Sequence, residues 1–347
     1  MRGVRPQRFP IWFMRQAGRS LPEYRAAREG HSMLDSCLVP ELAAEITLQP
    51  VRRHHVDAAV FFSDIMVPLK LAGVDVDIAP GIGPVVADPV RTAADVERLT
   101  SRELGDASAI REAVALVVQE LSSTPSGDAG WTPVIGFAGA PFTVAAYLVE
   151  GRPSRDHLAA RAMMHAEPDA WAALLAWVAD LSGEFMRAQV EAGASAVQLF
   201  DSWAGSLSPD AYGRHVAPWS ARAFGHVADL DVPGVHFGTG TAELLPQLAD
   251  VVASVMTHAV QGVDDRIDLA MAIERINRDR ERPLPVQGNI DPAMLAVGWD
   301  TLQTHIDHVL EAGRAAPGHV VNLGHGVPPT TDPGVLTAIV EYVHAAS

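Results

Sequence analysis

A single α/β chain closed into a (β/α)8, TIM-type barrel is predicted by three features of the 347 residues. Short β-branched or aromatic runs recur eight times, segments of helical period separate them, and no Gly-x-Gly-x-x-Gly turn follows an early run. Strand and helix in alternation imply right-handed crossovers and a parallel sheet. Without a dinucleotide turn, a doubly wound open sheet has less support than a barrel. The length would also suit two domains, but a barrel with insertions accommodates it as one domain over 1–347.

The strands are expected, in order, over Ile11–Met14, Ala58–Phe62, Val134–Phe137, Ala196–Phe200, Gly234–Phe237, His258–Val263, Val286–Gly288 and Val320–Leu323. The clearest helix runs from Pro168 to about Ala192, with Trp171, Leu174, Leu175, Val178, Leu181 and Phe185 on one face and Gly193 as its C-terminal stop. The last helix takes Asp332 as N-cap and Pro333 as its first residue, then buries Val335, Leu336, Ile339, Val340 and Val343. Ser122–Gly130 is expected to be a surface loop within the third unit, too short to link domains.

Composition excludes several classes of function. The one cysteine, Cys37, rules out an internal disulfide and a cysteine-built metal cage. A formal net charge of −16 opposes generic binding to nucleic acid and repels polyanions at long range. An anionic substrate would therefore need local positive charge. Of the 26 basic residues only Lys70 is lysine, so it is the one candidate for a Schiff-base cofactor such as pyridoxal phosphate. No apolar run approaches the ~18 residues of a membrane span, and the basic N-terminus lacks the apolar core of a signal peptide. A cytoplasmic protein is expected.

In a barrel of this kind the active site gathers at the C-terminal ends of the strands. Those ends are unusually polar here: Arg15-Gln16-Ala17-Gly18-Arg19, Ser63-Asp64, Gly139-Ala140-Pro141 leading to Thr143 and Tyr147, Asp201-Ser202, Gly238-Thr239-Gly240, Asp264-Asp265, Gly288-Asn289 and Gly324-His325-Gly326. Arg15, Arg19, Arg25 and Arg28 offer planar forks that grip carboxylates in pairs, and Gly18 permits close approach of a ligand. The alternative for Arg25 is a solvated helix face paired with Glu23 or Glu29. Asp64 closes an apolar run, where a carboxylate is costly unless something positive meets it; it could instead cap a helix. Thr143 and Tyr147 share one helix face near an N-terminus that favours anions, although a core tyrosine is equally open. Ser202 is a candidate ligand contact or an N-cap. His325, flanked by glycines, lacks the packing neighbours of a core histidine.

Six segments carry a resemblance to the uroporphyrinogen decarboxylases: PIWFMRQAGRSLPEYR from Pro10, FFSDIMVPL from Phe61, GFAGAPFTVAAYLVEG from Gly136, QLFDSWAG from Gln198, VQGNIDP from Val286 and NLGHGVPP from Asn322. The resemblance spans essentially the whole chain. It implies a homodimeric barrel that converts the four acetate arms of uroporphyrinogen to methyls, releasing carbon dioxide and coproporphyrinogen without metal or organic cofactor. It also implies Asp64 and Arg15 as catalytic residues. Substrate binding falls to Arg15, Gln16, Ala17, Gly18, Arg19, Asp64, Tyr147, Ser202 and His325, with Arg28 a less secure addition. Ser20 stands where the family usually has tyrosine and Asp265 where many relatives have tryptophan, and the chain begins only a few residues before its first strand.

Two rival functions share the barrel or the ligand. A corrinoid- or thiol-linked methyltransferase needs zinc held by histidine and cysteines; His236 stands on a suitable strand, but no cysteine follows it. A non-catalytic tetrapyrrole carrier explains the arginines and leaves Asp64 without a purpose.

Overall fold

The computed structural model describes residues 1, 6–123 and 132–346. Among the described residues nine strands are β1 (Ala59–Val60), β2 (Val76–Ala79), β3 (Gly83–Val86), β4 (Val134–Gly139), β5 (Ala196–Asp201), β6 (Gly234–Gly238), β7 (Ala259–Gly262), β8 (Val286–Gln287) and β9 (His319–Val320). Seven of them build one sheet in the order β1-β4-β5-β6-β7-β8-β9, every pairing parallel. Sequential neighbours joined by helices are what right-handed crossovers produce.

The sheet curls. β5 and β8 stand three places apart in it, yet Gln287 Nε2 donates to Gln198 Oε1 at 2.9 Å across the interior. Gln198 Nε2 in turn reaches Met14 Sδ at 3.6 Å. Both glutamines are fully buried, so these bonds partner amide groups that water cannot reach, although Gln287 Oε1 has no partner among the described residues. One layer nearer the strand ends, Phe137, Phe200 and Phe237 meet edge to face, with centroids 5.4 and 5.9 Å apart.

Ile11–Met14, expected as the first strand, is instead a single parallel bridge, Ile11 to Val321. Side chains take the place of a ladder: Gln16 Oε1 accepts the Phe13 N–H and Asn322 Oδ1 accepts the Met14 N–H, both at 3.0 Å. Asn322 Oδ1 also takes the Leu323 N–H at 2.9 Å, which leaves the strand expected over Val320–Leu323 as β9 and a bridge from Leu323 to Ile290. The antiparallel hairpin β2–β3 lies outside the expected elements. Its signal was present in VDIAPGIGPVV, where Pro80-Gly81 sits between two short apolar runs and Gly81 and Gly83 take positive φ.

The long helix covers Pro168–Glu191 and buries all six residues expected on its inner face; Gly193 follows at φ +116°. The last helix, Pro333–Ala345, begins with Asp332 accepting the Gly334 N–H, and buries Leu336, Ile339, Val340 and Val343, with Val335 half-buried. Ser122 and Ser123 end the helix Ser108–Ser123, and the rest of the loop expected over Ser122–Gly130 lies outside the described residues.

Asp57 joins the two ends of the chain beside β1. Its Oδ2 accepts the Ile11 N–H at 2.8 Å and meets His344 Nε2 at 2.7 Å, while Oδ1 accepts from Arg8 at 2.9 Å and its own N–H donates to the Ile11 carbonyl. Asp57→Ala strands these partners, and stability should drop by about 2 kcal/mol or more. Calorimetry should then record a lower melting midpoint; an unchanged midpoint would show that this joint contributes nothing.

Candidate active site

Five of the expected residues stand on one rim, each just beyond a strand position: Arg15 after the 10–14 segment, Asp64 after β1, Tyr147 on the helix Pro141–Glu150 that follows β4, Ser202 directly after β5 and His325 after β9. Arg15 has a left-handed backbone, φ +60°, a conformation that non-glycine residues hold only when their surroundings enforce it. Its stem lies over Gly326, where a Cβ would come within 2.7 Å of Arg15 Cγ. That glycine is therefore required by the arginine beside it.

Asp64 is half-buried. Burial pushes its carboxyl above the ordinary range, while the Met66 N–H at 2.9 Å and the Arg15 guanidinium pull it down. Oδ1 takes that N–H in a turn leading into the helix Val67–Leu71, whose N-cap is Met66 rather than Asp64. Among the described residues, Oδ2 has no hydrogen-bond partner. Tyr147 is pushed up to about 12 by burial and then by the charge of Asp64, so its hydroxyl keeps its proton and can donate. His325 is held below the ordinary histidine range, first by burial and then by Arg15, which favours a neutral ring. Arg15, Asp64, Tyr147 and His325 thus form one electrostatic group.

The other candidates separate by what they touch. Arg19 is exposed and has no carboxylate partner among the described residues. Gln16 is buried, with Nε2 donating to the Ala58 carbonyl at 3.0 Å, so its side chain braces the wall beneath the rim. Ala17 is half-buried, and at Gly18 a Cβ would fall 2.8 Å from the Arg15 carbonyl, so the close approach there is the chain's own. Arg28 bonds Ser36, the Tyr24 hydroxyl and the His31 carbonyl and lies over the Tyr24 ring. Arg25 bonds the Arg19 carbonyl at 2.6 Å, and Glu23 pairs with Arg53 rather than with Arg25. Ser202 is half-buried and is not the cap of the short turn Ala204–Ser206, whose N-cap is Trp203.

Sequence reasoning missed the way the rim is stitched. Thr239 Oγ1 donates to the Ser202 carbonyl at 2.5 Å, Asp264 accepts the Gly240 N–H, and Asn289 Nδ2 donates to the carbonyls of Asp264 and Ile267. These polar strand-end residues had appeared as a set, but their partners are set by spatial order. It also missed Trp203 and His157, whose rings stack at 4.1 Å. Two residues weighed for cofactor chemistry lie elsewhere. Lys70 pairs with Asp35 at 3.2 Å, and His236 is fully buried with Nδ1 on the Leu248 carbonyl of the helix Leu245–Val255, its ring pushed down to about 4 by burial.

Strand alternation turns Asp201 away from the interior face shared by Gln198 and Phe200, against the helix that carries Thr143. Burial pushes it up to about 7, opposed by the hydrogen bond from Thr143. A carboxyl with a raised folded pKa stabilises the fold at low pH and loses that contribution as pH climbs from about 4 towards 7. Asp201→Asn, which can still accept from Thr143, should flatten the wild-type decline in stability over that window. Urea unfolding at several pH values decides it: equal slopes in the two proteins would refute the assignment.

Comparison with known proteins shows the family of the chain. The family model described as Uroporphyrinogen decarboxylase (URO-D) matches residues 1–346. A uroporphyrinogen decarboxylase of Arthrobacter sp. (strain FB24) is 60% identical over 346 residues, covering 100% of this chain and 95% of the relative. One from Streptomyces coelicolor is 54% identical, covering 96% and 90%. Among solved structures, a methyltransferase from Methanosarcina mazei superposes with a TM-score of 0.77 at 18% identity, covering 99% of this chain and 96% of its own, a likeness of fold alone. Nearly complete matches to decarboxylases, together with the acid and arginine at the mouth, lead to one statement: the chain belongs to the uroporphyrinogen decarboxylase family.

Proposed function

We propose that this carboxy-lyase removes the acetate carboxylates of uroporphyrinogen, giving coproporphyrinogen, with Asp64 as its central charge and Arg15 as the group that orients the reacting arm. The supporting observation is the pairing at the mouth: a half-buried carboxyl with one oxygen unclaimed among the described residues, within the field of an exposed arginine.

Loss of carbon dioxide leaves an electron pair that needs a sink. The pyrrole can provide it: protonation of a ring carbon gives an iminium-like cation, which accepts the pair as the carbon–carboxylate bond breaks. The resulting exocyclic methylene then takes up a proton to become methyl, and the ring carbon releases the proton it had gained, which restores the pyrrole and leaves one proton consumed overall. Ionised Asp64, accepting hydrogen bonds from pyrrole N–H groups, stabilises that cation most when its charge is greatest. Those donors and Arg15 favour the ionised form against burial. A guanidinium holds its protons too tightly to act as the ring acid, so a water or a substrate carboxyl supplies that proton. Arg15 and Arg19 grip carboxylates, and Tyr147, Ser202 and His325 offer uncharged hydrogen bonds. Gln16, Ala17 and Gly18 hold the arginine loop in place.

The wider reading is one barrel domain over 1–347, closed by the 10–14 segment lying between β9 and β1. That closure is supported by the Ile11–Val321 bridge and the Asp57–Ile11 bonds. A homodimer in the cytoplasm rests on the family resemblance, and the net charge of −16 opposes binding to nucleic acid; no described helix is long and apolar enough to cross a membrane.

Incubating the protein with uroporphyrinogen under anaerobic, reducing conditions and separating products by chromatography tests the activity. Asp64→Asn should lower turnover by about 10²-fold or more, with a melting midpoint close to wild type because Asn can keep the bond to Met66. Near wild-type turnover would remove Asp64 from the central role.

A further inference from the structure

A buried chain of contacts ties the helix bearing Tyr147 to the end of β5, and the chemistry above does not use it. Thr143 Oγ1 donates to Asp201 Oδ1 at 2.8 Å and accepts the Trp203 backbone N–H at 3.1 Å. Thr143 and Asp201 are both fully buried. The Trp203 ring lies between two others: Tyr147 at 3.8 Å between centroids and 31° between planes, and His157 at 4.1 Å and 18°. His157 is itself buried, edge-on to Phe142, with a left-handed backbone at φ +50°. Its strained backbone is held where the ring completes a slab three rings thick.

Tyr147 forms the face of that slab nearest the acid, since its hydroxyl feels both Asp64 and Arg15. Among the described residues no hydrogen bond holds that hydroxyl, so its place depends on how the ring is packed. A swing of about 10° in χ1 would carry the hydroxyl roughly 1 Å, a displacement that can cost ~10²-fold in rate.

We propose that Trp203 is the positioning residue for Tyr147: its indole, braced by His157 and pinned through its backbone to Thr143 and Asp201, sets the tyrosine ring at the height from which its hydroxyl meets the substrate beside Asp64. The role rests on the contact between Tyr147 and substrate proposed above. It acts through ring geometry and needs no contact between the indole and the macrocycle. Because the arginines supply most of the grip on the carboxylates, a misplaced hydroxyl should show in kcat more than in KM.

The experiment measures kcat and KM on uroporphyrinogen for Trp203→Ala, Trp203→Phe, Tyr147→Phe and the Trp203→Ala/Tyr147→Phe double variant, with circular dichroism to confirm folding. Trp203→Ala should lower kcat about tenfold or more with KM within about threefold. Trp203→Phe, which keeps a stacking ring, should recover to within about threefold of wild type. Once the hydroxyl is absent, removing the indole should cost less than about twofold further, the signature of residues acting as one unit. Losses that multiply in the double variant, or a Trp203→Ala kcat within about twofold of wild type, overturn the inference and leave the Tyr147 contact standing. Wild-type kinetics in Tyr147→Phe would instead remove that contact, and this role with it. Should Trp203→Ala fail to fold, Trp203→Leu takes its place under the same criteria.

Discussion

At the mouth of the sheet, burial opposes the charge on Asp64 and Arg15 favours it, and the rest of the site is arranged around that opposition. An acid in water would bind a developing cation weakly, because solvent already satisfies it. A fully enclosed acid without a partner would remain protonated. Half-burial, one backbone donor and a nearby guanidinium keep the carboxyl between those extremes. Arg15 must in turn be held over the mouth, and two features of the chain do this. Its own backbone is left-handed, and Gly326 leaves room for its stem. A side chain at 326 would displace the arginine and so weaken the acid's ionisation without touching the acid.

The scaffold supporting this opposition is polar where a barrel is expected to be oily. Gln198 and Gln287 bond across the interior, and Asp264 and Asn289 link the loops after β6, β7 and β8. Each such bond matters because a buried polar group left alone costs about 1–3 kcal/mol. Mispairing any loop would leave several groups unsatisfied, so the network selects one arrangement of the rim. The apolar row of Phe137, Phe200 and Phe237 lies just below, and Phe200 remains half-exposed towards the opening.

Periodicity made the parallel sheet legible, along with the helix Pro168–Glu191 and the capped helix after Asp332, because apolar spacing and cap chemistry are local. It failed over Ile11–Met14, where the apolar run looks like any strand. What replaces the ladder comes from Gln16 and from Asn322, and Asn322 lies 308 residues away, a distance no local pattern spans. Strand-end polarity pointed to Asp64, Tyr147 and His325 but could not say which way each side chain turns. Asp201 and Ser202 are adjacent, and alternation buries the first against a helix while leaving the second half-exposed. The ring slab was hidden for another reason: Trp203 and His157 come from different segments, and the sequence leaves Tyr147 open between a core role and a ligand contact.

Overall charge and substrate charge conflict until distance is considered. The chain carries a net −16, and uroporphyrinogen brings carboxylates of its own, four of them on the acetate arms that the resemblance named above. At physiological salt, however, charges further apart than about 8 Å are largely screened. Many surface acids are also neutralised in pairs, as with Asp180 and Arg222 or Asp229 and Arg187. Beside Asp64, Arg15 makes no ion pair among the described residues, and neither does the exposed Arg19, so both guanidiniums are open to an anion. The protein can therefore be strongly acidic and still draw a polyanion to one place. What separates these two guanidiniums from the paired arginines of the surface is that neither makes an ion pair among the described residues, although the Asp64 carboxyl lies within the field of Arg15.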